Sequence, residues 1–291
     1  MTKYIIREMQ LKDTDSVRQL WTDIKFVNAF KWSPELYHKV FDCGVMVVDN
    51  QSTGKIIGAC VGVNVSKKLG FIGGYGVLPE YRGQGIGQSL WNRTMANMGD
   101  RNVGLFAVSD TMGNIYKTKC EFSVVPNRRL IHMTGKILVT DDVVKHIDGI
   151  TLCPLNEEVL TKVAKYDTEV TEGLDRKDYI EELCKSPDTW NLVAINENRD
   201  VVGYCVLYIT VTELTMCGPV NAVFCYLKNG KKTFCTIRGI QTKSLLVLQR
   251  DWDSTFIGKD LLFSTKRTFM VSQKSNTVCP TYMFIHFDFY N

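Results

Sequence analysis

Residues 75–88 read YGVLPEYRGQGIGQ, and the succession of residue types in this stretch decides the fold. A strand-like run through Phe71, Ile72, Tyr75 and Val77 stops at Pro79. A basic turn with spaced glycines follows, Arg82-Gly83-Gln84-Gly85-Ile86-Gly87. Residues 88–98 then have helical periodicity: Gly87, Leu90, Trp91, Thr94, Met95 and Met98 fall on one face, and Gln88, Asn92, Arg93 and Asn97 largely on another. Gly99 is the expected stop. Strand, glycine-rich turn and helix together make a grip for a pyrophosphate. Glycines let the backbone approach the anion, free N–H groups at the helix start face it, and the helix dipole adds roughly half a positive charge. Two other owners of such turns fit less well. No Gly-Lys-Ser/Thr follows to bind magnesium, and no acidic residue stands where a dinucleotide fold places its ribose ligand.

Read with Val77, Pro79 and Tyr81, the turn resembles that of the GNAT superfamily of acetyl-CoA-dependent N-acyltransferases. That family's signature is Gln/Arg-x-x-Gly-x-Gly/Ala opening a helix, and it stands complete as Arg82, Gly85 and Gly87. The family's strand ending is present as Tyr75-Gly76-Val77-Leu78-Pro79. The resemblance implies a mixed α/β fold, a central, mostly antiparallel sheet flanked by helices. It also implies acetyl-CoA as co-substrate and direct transfer of acetyl to an amine. Tyr75, Gly76, Val77, Arg82, Gly83, Gln84, Gly85, Ile86, Gly87, Gln88 and Asn114 are the implied cofactor-binding residues. The Val77 N–H is the implied oxyanion donor, and Tyr116 the implied acid for the leaving thiolate. The family's Tyr precedes a Gly-Phe pair; here Glu121 stands for the glycine before Phe122, one residue further on. The strand before the turn supplies no Glu or His as base, so Asp110 is the first candidate, ahead of Asp42 and Glu35.

The order along the chain agrees with such a fold. Residues 4–9 alternate like a strand, and Asp13 is placed to cap a helix through Val17, Leu20, Trp21 and Ile24. Residues 45–49 and 55–65 form a hairpin around 50–54. Residues 102–109 are a further strand and 112–119 a further helix.

The chain also matches itself. Residues 47–61, VVDNQSTGKIIGACV, align without gaps on 192–206, LVAINENRDVVGYCV, carrying Gly58 onto Gly203 and Cys60 onto Cys205 with equal turn lengths. The same offset carries Ile5 onto Ile150 and Trp21 onto Tyr166. Two related domains are expected, 1–140 with the acyl-CoA site and 147–291 as a degenerate GNAT-like partner that could wall the acceptor site. In the second copy, residues 227–232 read LKNGKK and keep one glycine, Gly230, so one acyl-CoA site per chain is expected. Asp167, Arg176, Tyr179 and Gly218-Pro219 loosely resemble the pattern of that partner domain. Residues 281–290 alternate like a closing strand.

Composition narrows the classes. With 45% hydrophobic and 23% charged residues the chain reads as a soluble globular protein, expected in the cytoplasm because its start is unlike a signal peptide. No apolar run is long enough for a membrane span. A net charge of +4 is too small to argue for nucleic acid. The four histidines are dispersed and no Cys-x-x-Cys occurs, so no metal is expected; the ten cysteines read as free thiols. The functional expectation is an N-acetyltransferase for a small-molecule amine or amino acid, with a homodimer allowed. A non-catalytic acyl-CoA sensor is the alternative.

Overall fold

The computed structural model describes residues 4–26, 29–40, 43–107, 109–124, 129–134, 148–171, 173–213, 215–221 and 262–272. Asp42, residues 227–232 and residues 281–290, all singled out in the sequence, lie outside them.

The first half runs β1 (Tyr4–Glu8), α1 (Thr14–Asp23), α2 (Ser33–Val40), β2 (Cys43–Asn50), β3 (Lys55–Asn64), β4 (Leu69–Val77), α3 (Ile86–Met98), β5 (Asn102–Ala107), α4 (Asp110–Lys119) and β6 (Arg129–Thr134). Strand β3 is buried along nearly its whole length because helices cover both faces. A Cβ on Gly62 would meet Met98 and Thr94 of α3, whereas a Cβ on Gly74 would meet Val61 of β3 and Trp21 of α1. Helix α3 starts two residues earlier than its periodicity suggests. Gly85, at φ +77°, caps it, and Ile86 is already buried. Burying Ile86, Leu90 and Met98 is worth roughly 1.5–3 kcal/mol each, against about 1 kcal/mol for a glycine inside the helix. Packing therefore wins at Gly87.

Asp13 does precede α1, but its carboxylate does not cap it. It accepts from Arg7 Nη1 at 2.6 Å and Nη2 at 3.0 Å, and from the Gln10 N–H at 2.7 Å. The Arg7 hydrogen bonds hold this carboxyl below its ordinary range, against the opposing effect of burial.

The second half repeats the opening order as β7 (Ile150–Cys153), α5 (Glu157–Val170), α6 (Lys177–Lys185), β8 (Thr189–Asn196), β9 (Val201–Ile209) and β10 (Thr215–Asn221). Its sheet order, β10-β9-β8-β7, mirrors β4-β3-β2-β1. Both hairpins carry a bulge at the same place on the second strand, between Ile56 and Gly58 and between Val201 and Gly203, but the residues facing it, Val48 and Asp49 against Ala194 and Ile195, are offset by one. The turn lengths are not equal, however. Asp49 pairs with Ile56 but Ile195 with Val201, so the second connection is one residue shorter and Arg199 takes a left-handed φ of 64°. Cys60 and Cys205 are buried thiols outside any disulfide.

Two features join the halves. The chain after α1 meets the end of β9: Lys31 N–H donates to Ile209 O at 3.0 Å, and Val211 N–H to Ala29 O at 2.8 Å. Phe30 packs edge-on against Tyr208, with ring centroids 5.1 Å apart. Strand β11 (Leu262–Ser272), expected inside the second unit, is hydrogen-bonded into the first sheet, whose order is β1-β2-β3-β4-β5-β11-β6. Only β4 and β5 run parallel in that seven-stranded sheet.

Candidate active site

The pairing of β4 with β5 covers Leu69 to Phe71 and ends there, so the two strands part toward their C-terminal ends. A cavity of about 460 Å³ opens at this fork. Its wall takes Ile72, Gly73, Tyr75, Gly76 and Val77 from β4, Arg82 and Gly87 from the turn, Leu105 and Phe106 from β5, and Met112 and Tyr116 from α4. Ile24 and Phe26, just after α1, close the remaining side.

At one end lies the turn. Gly83 and Gly85 have φ near +75° and +77°, and a Cβ on either would meet nothing within 4 Å, so their backbone is both left-handed and open. Among the described residues, none of the N–H groups from Gly83 to Gln88 has a recorded protein acceptor. Such a row of donors at the positive end of α3 fits a diphosphate. The side chains of the turn are engaged within the protein. Ile86 is buried in the core. Gln88 bonds Asn92 along the helix at 2.9 Å, and Gln84 reaches back to Glu80 O at 3.4 Å. Gly87 has a packing reason: a Cβ there would lie 2.8 Å from the Tyr75 hydroxyl.

Val77 sits where the fork opens. Leu78 N–H donates to Ile57 O at 2.9 Å, and Val77 lies opposite Gly58. Hydrogen bonding alternates along an antiparallel pair, so the N–H and C=O of Val77 turn away from β3, toward the side that β5 has left. The carbonyl accepts from Arg82 Nε at 2.9 Å. Arg82 therefore braces the strand end as well as bringing a positive charge to the turn.

Tyr116 stacks on Trp91 at 5.3 Å, and Tyr75 meets the same indole edge-on at 5.6 Å. Burial pushes the Tyr75 phenol up to about 12. It lifts Tyr116 beyond the ordinary tyrosine range, with Cys60 and Tyr75 adding to the effect. Both hydroxyls thus stay protonated at neutral pH. The register of α4 is fixed by Glu121, which holds φ +60° while Phe122 N–H returns to Tyr116 O at 3.2 Å. The position where the resembling family has glycine is therefore left-handed here.

Of the expected turn residues only Arg82 and Gly87 reach the cavity wall itself, and Asp110, Asn114 and Glu35 stand apart from both wall and turn. Asp110 is exposed in the first turn of α4, where its charge meets the positive end of that helix and Ser109 provides the cap. Asn114 is exposed, its carbonyl accepting from Thr118 Oγ1 at 2.7 Å. Glu35 pairs with Arg18 near the junction of the halves. Conversely, Ile24, Phe26, Ile72, Leu105, Phe106 and Met112 line the cavity, although the sequence marks them only as apolar filling. Phe26 could be noticed only as a large ring placed just beyond a helix end.

Residues 14–115 match the model of the acetyltransferase (GNAT) family. An uncharacterized protein of Caenorhabditis elegans is 24% identical over 166 residues, 55% of this chain, and the chain spans about half (51%) of that relative's length. Three solved structures share the fold along most of both chains. A Pyrococcus horikoshii protein assigned as an acetyltransferase has a TM-score of 0.63 at 16% identity, over 92% of this chain and 88% of its own. A GCN5-related N-acetyltransferase from Sphaerobacter thermophilus has 0.55 at 13% identity, over 94% and 97%. A tandem GNAT protein from the clavulanic acid biosynthesis pathway has 0.54 at 12% identity, over 95% and 100%.

Proposed function

We propose, with the acetyltransferase (GNAT) domain of residues 14–115 as the premise, that this chain transfers the acetyl group of acetyl-CoA directly to the amine of a small molecule or amino acid. The observation that carries this reading is a single cavity bordered by the open turn, by Val77 and by the Tyr116 phenol. The N–H groups of residues 83–88 would hold the diphosphate. The Val77 N–H is aimed into the fork, where it would steady the oxyanion that develops as the amine attacks. As the carbon–sulfur bond breaks, the Tyr116 hydroxyl donates a hydrogen bond to the departing thiolate. Among the described residues no carboxylate or imidazole lines the cavity, so the proton released by the amine leaves through water.

The sequence reading divides the chain into residues 1–140 with the acyl-CoA site and 147–291 as a partner that walls the acceptor side; β11 (Leu262–Ser272) is lent by the second segment to the first sheet, and the remainder keeps the proposed role. The clasp between residues 29–31 and the end of β9 supports the latter role. A chain ending at Lys145 that kept full activity and unchanged preference would remove it. The lack of a base in the cavity wall favours a second reading, an acyl-CoA sensor without turnover. Thioester consumption with a mixed amine panel separates the two. Coenzyme A release that requires an added amine supports the enzyme; tight acetyl-CoA binding without release across the panel supports the sensor.

A further inference from the structure

Away from the turn, the cavity wall is made of Ile24, Phe26, Ile72, Leu105, Phe106 and Met112. The titratable groups on the whole wall, among the described residues, are Arg82, Tyr75 and Tyr116. Arg82 belongs to the turn and braces Val77, and both phenols are neutral at physiological pH. The side facing Gly76 is also closely packed. A Cβ on Gly76 would lie 2.4 Å from Ile24 Cδ1 and 3.4 Å from Phe26 Cζ. Phe26 is held in place, since its N–H donates to Trp21 O at 2.8 Å and its ring meets Trp21 edge-on. Ala29 and Lys31, a little further on, are clasped by the end of β9. Among the described residues this wall is apolar and offers no carboxylate to an ammonium, and its one cation, Arg82, lies at the turn with its Nε committed to the Val77 carbonyl. A charge on the acceptor would be stripped of water there without a partner.

We propose that the acceptor is an amine carried on an uncharged, apolar body, aromatic or branched aliphatic, taken up as the free base. The inference rests on the acetyl-transfer reading and narrows it. An amine entering such a pocket is pushed toward its neutral form by desolvation, which removes the need for a strong base at the moment of attack.

The test compares matched amines at saturating acetyl-CoA with the full chain. Phenethylamine is set against phenylalanine, which adds a carboxylate, and hexylamine against putrescine, which adds a second ammonium. The expected kcat/KM favours each apolar member by about a hundredfold or more, because the pocket leaves the extra charge unpaired. It should also rise about tenfold per pH unit below the pKa of the free amine, as the neutral fraction does. Phe26→Leu keeps the wall apolar but removes the ring. It should lower kcat/KM for phenethylamine about tenfold and leave KM for acetyl-CoA unchanged. Equal or better turnover of phenylalanine and putrescine would overturn the proposal while leaving acetyl transfer standing. Acetyl-CoA binding with no release for any amine would remove both.

Discussion

The two halves of this chain lay down the same opening elements and then use their buried space in opposite ways. On β3 the first half has Ala59 at the place where the second, on β9, has Tyr204. The small residue leaves room on that face of the first sheet for Trp21, Ile24 and Phe26 to approach, and a cavity remains at the fork of β4 and β5. The large one reaches Asp167 on α5: Tyr204 donates to Asp167 Oδ1 at 2.6 Å, and Arg176 clamps the same carboxylate from Nε at 2.8 Å and Nη2 at 2.5 Å. Burial is the largest single effect and works against the Arg176 charge, but the Asp167 hydrogen bonds together with the charge interactions of Tyr204, Asp167 and Tyr179 overcome it and keep the guanidinium protonated. One half leaves backbone donors open, while the other closes its polar groups on one another. Duplicated architecture need not mean duplicated chemistry.

The sharpest way to break this contrast is to open the closed half. Asp167→Ala leaves Arg176 buried without its carboxylate and should cost about 3–5 kcal/mol of stability by denaturant unfolding. A loss near zero would mean that the ion pair closes nothing. Gly85→Glu attacks the open half. A side chain at φ +77° and a negative charge beside the bare N–H groups should weaken acetyl-CoA binding about a hundredfold or more by calorimetry, with the circular dichroism unchanged. Normal binding would end the assignment of the turn. Tyr116→Phe should lower kcat about tenfold to a hundredfold, the worth of one hydrogen bond to a charged group, with little change in acetyl-CoA affinity. Because a donor is lost only above its own pKa, and burial raises that of Tyr116, wild-type kcat should not fall as pH passes 10. The mildest change concerns α4: Glu121→Gly relieves a left-handed residue and should stabilise the protein by about 1 kcal/mol in thermal unfolding.

What could be read from the sequence was local. The turn at residues 82–87, the flanking strand and helix, and the hairpin repeat each depend on residues close in the chain, where glycine spacing and periodicity carry the signal. The one-residue difference between the hairpins escaped because a gap-free match hides a shift that bulge and turn absorb together. Asp110 lies off the cavity wall, which its position after a strand could not reveal, because the helix begins at that residue and sets its direction. Ile24 reads as helix packing and Phe26 carries no signal of its own, since a cavity wall and a core look alike in composition. The place of β11 was illegible for a plainer reason. Strand patterning shows that a segment can pair, but not with which sheet.

That last strand has a consequence for how the molecule comes into being. β11 lies between β5 and β6, and its residues are synthesised long after both. Until residues 262–272 emerge from the ribosome, the first sheet has a slot with two unpaired edges beside Leu105 and Phe106, and such edges invite wrong partners. The first half made is therefore the last to be finished, and a nascent chain interrupted in its second half would present the protein-quality machinery with an open sheet.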